Sequence, residues 1–263
     1  SLRSRNFTGR SRPDLIIMII GSDILYFDSL ASTNVTAAQM LTEQKPEEGT
    51  VIRAGFQTAG KGQKGNSWES AEDMNLLFSI ILYPSSLQAD EQFLLSMAIS
   101  LGICDFLENH LPRPDIKWPN DIYAGGKKIA GILIENSILG EMIEYSVVGT
   151  GININQKKFS PGISGAVSLG IITGKEYDTG SLFRQVLHFL DLRYKQLLYG
   201  DRDAIREEYF SNLYRAGEWH NYSSDGVVFR GAIRGVSPSG ILTVEKEGNE
   251  YCEFSFREIQ YLH

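Results

Sequence analysis

Two rhythms of apolar and polar positions run along this chain, and the change between them divides it. Residues 32–44, STNVTAAQMLTEQ, have helical spacing with Ser and Thr available at the N-terminus. Residues 51–57 predict a strand, and residues 76–83, LLFSIILY, predict a buried one. Helical spacing returns over residues 90–109 and ends near Pro112. Residues 127–135 and 144–153 are apolar, β-rich runs, and the NSILGEM between them predicts a hairpin loop. Residues 181–199 and 202–214 predict two amphipathic helices. After Gly217 the texture becomes short strands and turns, GVVFRGAIRGV, ILTVEKEG and NEYCEFSF, which predict a small all-β barrel or sandwich. The expected layout is therefore residues 1–17 as a tag or disordered extension, 18–216 as one α/β unit and 217–263 as a small C-terminal unit.

Composition narrows this picture. With 263 residues, 42% of them hydrophobic, the chain can bury a large core. A formal charge of −7 argues against a general nucleic-acid binder. The acidic balance hides a basic arm, Arg3, Arg5, Arg10 and Arg12, ahead of Leu15 to Ile20. That apolar run is too short for a signal peptide and lacks a small-residue cleavage pattern, which leaves Met18 as the expected true start. No stretch approaches the roughly 20 apolar residues of a membrane span. Cys104 and Cys252, far apart in apolar contexts, read as reduced core residues, and the expected location is cytoplasmic.

The candidate chemistry starts at Gly55 to Gly62, GFQTAGKG, one residue short of the phosphate-binding pattern G-x-x-x-x-G-K-[ST]. That pattern needs a following helix and a Ser or Thr for a metal ion, and the sequence offers neither. The loop still has chemistry of its own. Gly60, Gly62 and Gly65 let backbone amides approach an anion, Lys61 and Lys64 supply charge, and Trp68 brings a flat ring. Taken alone it reads as a solvated turn. Further along come IKWPNDIY at residues 116–123, GKKIAGILIE at 126–135 and GTGININ at 149–155. The last begins like a dinucleotide fingerprint but lacks its third glycine and its helix. No zinc-type spacing involves His110, His188, His220 or His263, and no G-x-S-x-G nucleophile elbow is present.

Taken in order, these motifs resemble the biotin protein ligases: Ser32-Thr33-Asn34, the loop Gly60 to Trp68, KWPND at 117–121, KKIAGILIE and GTGININ. The resemblance covers nearly the whole chain after about Ile24. It implies a mixed α/β sheet flanked by helices, of class II synthetase type, followed by an SH3-like barrel. The implied activity is ATP-dependent formation of biotinyl-5′-AMP with release of pyrophosphate, then transfer of biotin to a lysine of a carboxyl carrier protein. ATP and biotin are then substrates and Mg²⁺ an accompanying ion.

The resemblance also assigns roles. Lys128 is the central cation, with Lys61 and Asp121 as further catalytic groups. Ser32, Thr33, Asn34, Gln57, Gly60, Lys61, Gly62, Gln63, Lys128, Gly131 and Gly149 fall to biotin. Lys61, Gln63, Lys64, Trp68, Asn120, Lys128 and Asn153 fall to ATP and the adenylate. Asp121 is the one candidate metal ligand, or the acceptor of the incoming lysine's proton. Read from its local sequence alone, Asp121 is equally a turn-forming residue after Pro119-Asn120. The loop departs from the family's usual G-R-G-R-R-G-R, since Gln63 and Asn66 stand where arginines are expected. A core beginning near Ile24 leaves no room for an N-terminal DNA-binding domain, so no DNA partner and no membrane partner are expected. Oligomeric state, a homodimer included, stays open. The alternatives are a lipoate or octanoyl ligase of the same fold and a catalytically silent biotin- or nucleotide-binding module.

Overall fold

The computed structural model describes residues 18–63, 65–163 and 165–262. The extension at 1–17, together with Lys64, lies outside the described residues. The chain runs β1 (Ile24–Leu30), α1 (Thr33–Glu43), β2 (Val51–Gln57), β3 (Leu76–Leu82), α2 (Phe93–Glu108), β4 (Asp115–Lys117), β5 (Asp121–Ala124), β6 (Lys127–Leu139) and β7 (Met142–Ile152). Helices α3 (Leu169–Thr173), α4 (Thr179–Tyr199) and α5 (Arg202–Ser211) follow. The C-terminal strands are β8 (Trp219–Ser224), β9 (Val227–Val236), β10 (Leu242–Lys246), β11 (Glu250–Phe254) and β12 (Gln260–Tyr261).

The large sheet has the order β1-β2-β3-β7-β6-β5-β4, parallel between β1 and β2 and antiparallel at every other pairing. Strand alternation assigns its faces. Phe78 and Ile80 of β3 enter the main core with α2 and α4, while Ile81 joins Ala37, Ile52 and Val147 beneath α1. Ser79 therefore shares the α1 face. Fourteen of the sixteen α2 residues are buried, so this helix is apolar all round and central to the fold. Gly102 lets α4 lie close against it, because a Cβ there would come 3.0–3.2 Å from Leu190. Helices α4 and α5 are capped by Asp178 and Asp201, whose carboxylates accept from the first-turn amides. The described chain is tied down at its start by Asp191, which accepts from Ile19 and Ile20 N–H at 2.7 and 2.9 Å.

After Gly217 the strands form a second, antiparallel sheet of order β11-β10-β9-β8-β12. It is joined to the first unit through Trp118, whose Nε1 donates to Gly240 O at 3.1 Å, and through the Phe93 N–H to Pro238 O bond at 2.9 Å. The sequence reading differs at two places. Residues 136–142 are mostly strand, with only Gly140 and Glu141 between β6 and β7. Gly140, at φ +64°, makes so tight a turn feasible. Helix α5 stops at Ser211, because the chain must turn to pair Ile116 with Asn212 and Tyr214. GTG of residues 149–151 lies inside β7, within the β-rich run that the sequence predicts. Both cysteines are free, Cys104 buried and Cys252 half-buried. Among the described residues, no helix is long and apolar enough to cross a membrane.

Candidate active site

The start of α1, the loop after β2, the turn before β5 and the middles of β6 and β7 surround a cavity of about 260 Å³. Ser32, Thr33 and Asn34 all face it and are at most 4% exposed. Ser32 is the α1 N-cap, in extended conformation, yet its hydroxyl makes no capping bond. Gln57, at the end of β2, accepts from Thr33 through Oε1, at 2.8 Å from the backbone N–H and 3.2 Å from the hydroxyl. Ser79 Oγ lies 2.7 Å from Thr33 Oγ1 and 2.6 Å from Asn34 Oδ1, and its single proton serves one of them at a time. Asn34 Nδ2 donates to Glu135 Oε2 at 2.7 Å. Gly149 makes room for this, since a Cβ there would sit 2.1 Å from Asn34 Oδ1. The result is a cluster of hydroxyls and amides, cross-linked from β2 to β6 and anchored on the Glu135 carboxylate. Ser79 and Glu135 were not among the sequence candidates. A lone serine in the apolar run LLFSIIL was the available signal.

The charged part of the site lies on the same wall. Lys128 Nζ stands 2.6 Å from Asp121 Oδ1, with the two side chains 34% and 25% exposed, so the pair stays open to solvent and to an incoming anion. The Lys128 chain folds back over Gly131, where a Cβ would meet its Cε at 3.2 Å and its Nζ at 3.3 Å. The Trp68 ring rests on Gly131 and Gly151, at 2.9 Å and 2.4 Å from the positions of their missing Cβ atoms. Lys128 Nζ is 5.5 Å from that ring's centroid, within cation–π range. Trp68 Nε1 is buried without a hydrogen-bond partner, a costly arrangement that a ligand atom could relieve.

The glycine–basic loop is a small hairpin. Trp68 N–H donates to Gly60 O at 2.9 Å, Lys61 pairs with Ser67, and Gly62 N–H donates to Asn66 O at 2.8 Å. Lys61, Gly62 and Gln63 face the cavity, while Gly60 forms the hairpin's base, where Trp68 O leaves no space for a Cβ. Arg257 of the C-terminal unit also lines the cavity and donates from Nη2 to Gln63 O at 2.9 Å. Its distance along the chain hid it from the sequence reading.

Asn120 lines the cavity and holds β6 through its side-chain bond to Ile132 O. Lys127 is exposed and outside the lining. Asn153 is not brought to the cavity: its Nδ2 donates to Val167 O at 3.0 Å, under a segment that folds back along Lys128. Among the described residues, no group of three or more His, Cys, Asp and Glu is placed to hold a metal.

Comparison with known proteins bears on this geometry. Residues 26–153 match the model of the biotin/lipoate A/B protein ligase family. The bifunctional ligase/repressor BirA of Bacillus subtilis is 30% identical over 231 residues, covering 86% of this chain and 70% of that protein. The biotin–[acetyl-CoA-carboxylase] ligase of Paracoccus denitrificans is 30% identical over 225 residues, covering 81% and 91%. Among solved structures, a biotin protein ligase from Aquifex aeolicus in complex with biotin and ATP superposes with a TM-score of 0.76 at 26% identity, over 92% of this chain and all of that one (100%).

Proposed function

The chain belongs to the biotin protein ligase family, and from that premise we propose how its own residues do the family's work. It activates biotin and transfers it to a carrier protein. We take residues 18–216 as the unit that carries the chemistry and 217–263 as the unit that adds Arg257. The observation that carries the reading is that one cavity brings together the hydroxyl and amide cluster, the Lys128–Asp121 pair and the glycine–basic hairpin.

The cluster of Ser32, Thr33, Asn34 and Gln57 suits the ureido ring of biotin, whose donors and acceptors it can satisfy without burying charge. Biotin's carboxylate then points toward Lys128. In the first step that carboxylate attacks the α-phosphorus of ATP, and biotinyl-5′-AMP and pyrophosphate result. Two anions must meet, so the catalytic task is positioning and neutralisation. Lys128 supplies the central positive charge, with Lys61 and Arg257 toward the phosphates. Gly62 and Gln63 offer the loop's backbone, and Asn120 fixes the turn beside Asp121. Trp68 supplies a stacking surface for adenine. A cavity of about 260 Å³ falls below the roughly 300–1,000 Å³ usual for small-molecule sites, so the Trp68 ring moves off Gly131 and Gly151 when both substrates bind.

Mg²⁺ fits as a companion of the triphosphate, which brings most of its own oxygen ligands. Among the described residues Asp121 is the one carboxylate lining the cavity and is already engaged by Lys128, and they build no dedicated cage. In the second step an amine of a carboxyl carrier protein attacks the mixed anhydride, and Asp121 is the nearest base on the cavity wall. Biotin-dependent exchange of labelled pyrophosphate into ATP tests this function. Exchange with biotin and not with lipoate is expected. Exchange with lipoate alone would assign the chain to lipoate activation.

A further inference from the structure

Beside the cavity that holds Lys128 and Asp121 lies a second one, of about 140 Å³. The two share Gln63, Pro119, Asn120 and Ile132 as walls, so they meet at the loop tip and at the turn before β5. Beyond those residues the second cavity is lined by Ser96 on α2 and by Ile134 and Asn136 on β6, with Ser239 and Phe256 contributed by the C-terminal unit.

Its size and its charge are both informative. It is well below the roughly 300–1,000 Å³ of a small-molecule site and suits a single side chain. Among the described residues, none that lines it is charged. Its described walls offer a triphosphate or pyrophosphate no cation of their own, and neutral walls favour a free amine over an ammonium. What remains is an apolar floor of Phe93, Ile132, Ile134 and Phe256 under a rim of amides and hydroxyls. The rim is fixed in part by its own bonds. Asn136 Nδ2 donates to Gln92 Oε1 at 3.0 Å, and Asn136 Oδ1 accepts from Ser146 at 2.7 Å.

We propose that this second cavity is the channel through which the carrier's acceptor lysine reaches the activated biotin, an inference that rests on the ligase reading above. The lysine's four-carbon stem lies along the apolar floor, and its ammonium gives a proton to water on entering. The amine nitrogen bonds to the biotin carboxyl carbon while the bond from that carbon to the phosphate oxygen breaks. AMP leaves with that electron pair, and the surplus proton on nitrogen passes to the Asp121 carboxylate. The polyanion and the amine thus meet different linings, with Gln63 at the junction. The phosphates lie toward Lys61, Lys128 and Arg257, and the lysine arrives through neutral walls.

Ser239→Phe and Ser96→Leu fill the channel from two different elements, and neither residue lines the main cavity. Ser239 sits in a partly exposed turn, which keeps the test valid even where the buried Ser96 variant fails to fold. The full chain is assayed for pyrophosphate exchange and for single-turnover transfer from preformed biotinyl-AMP. The acceptors are an apo carrier domain and hydroxylamine, an amine with no stem to thread. Transfer to the carrier should fall by about tenfold or more, while exchange and hydroxylamine capture stay within about twofold. Unchanged carrier transfer in the folded variants overturns the proposal. Loss of exchange also overturns it, and makes the cavity part of the ATP site. Absence of biotin-dependent exchange in the unsubstituted protein is a separate result, which removes the ligase reading itself.

Discussion

Lys127 and Lys128 are neighbours in sequence and opposite in consequence, because successive side chains of a strand point to opposite faces. Lys127 is exposed, whereas Lys128 curls over Gly131 to Asp121. Lys128→Ala should slow adenylate formation by about 10²–10³, the usual effect of removing one well-placed electrostatic contact. Biotin affinity should change far less, since this charge matters most as carboxylate meets phosphate. Lys127→Ala should be mild. Pre-steady-state measurement of pyrophosphate release checks both, and the reverse ranking would shift the assignment by one residue. Much of the site was legible at this scale, because motif residues such as Thr33, Gln57, Asp121 and Lys128 do converge on one cavity. Ser79 and Glu135 were not legible. Their importance comes from cross-strand partners, Asn34 among them, that no local pattern reveals.

The loop between β2 and β3 is the element whose behaviour matters most. Its hairpin is held by few backbone bonds, it carries three glycines, and its Trp68 ring rests on Gly131 and Gly151. Ordering such a segment costs conformational entropy, and an arriving anion supplies the compensating contacts. Amides of residues 60–68 should therefore exchange faster in the free protein than with biotinyl-AMP bound. Equal protection in the two states would count against an ordering loop. Gln63→Arg should slow adenylate release, since a well-placed charge-assisted bond is worth roughly 1.5–3 kcal/mol. A chase of labelled biotinyl-AMP reads this directly, and equal dissociation rates would show that charge at this position does not control retention. Elements with a strong rhythm, such as β2, β3 and α4, were readable beforehand. Strands β4 and β5, three and four residues long, were not. Their pairing is set by β6 and by residues 212–214 after α5 rather than by their own residues.

At the scale of the molecule, KWPND joins two units. Pro119, Asn120 and Asp121 line the cavity, whereas Lys117 and Trp118 hold the C-terminal sheet. Lys117 Nζ lies 4.9 Å and 5.0 Å from the ring centroids of Tyr123 and Tyr261, and donates to Tyr123 O–H at 3.1 Å. Trp118 bonds Gly240 O and packs against Phe256, with ring centroids 5.4 Å apart. Phe256 also meets Phe93 of α2 at 5.8 Å. Arg257 follows directly, so the packing of its neighbour sets how its guanidinium meets the loop at Gln63 O. Two variants separate packing from charge. Arg257→Ala removes an exposed side chain and should leave stability within about 0.5 kcal/mol, as surface changes usually do. Its lost contact, worth roughly 1.5–3 kcal/mol if made to a phosphate, should raise the KM for ATP about tenfold or more while the KM for biotin stays nearly fixed. Trp118→Phe keeps a ring but leaves Gly240 O without its buried donor, which costs about 1–3 kcal/mol of stability. Because it loosens the seat of Phe256, it should raise the KM for ATP as well. Denaturant unfolding with steady-state kinetics distinguishes the two variants. An unchanged KM for ATP in Arg257→Ala would reduce the C-terminal unit to a neighbour of the site with no share in it.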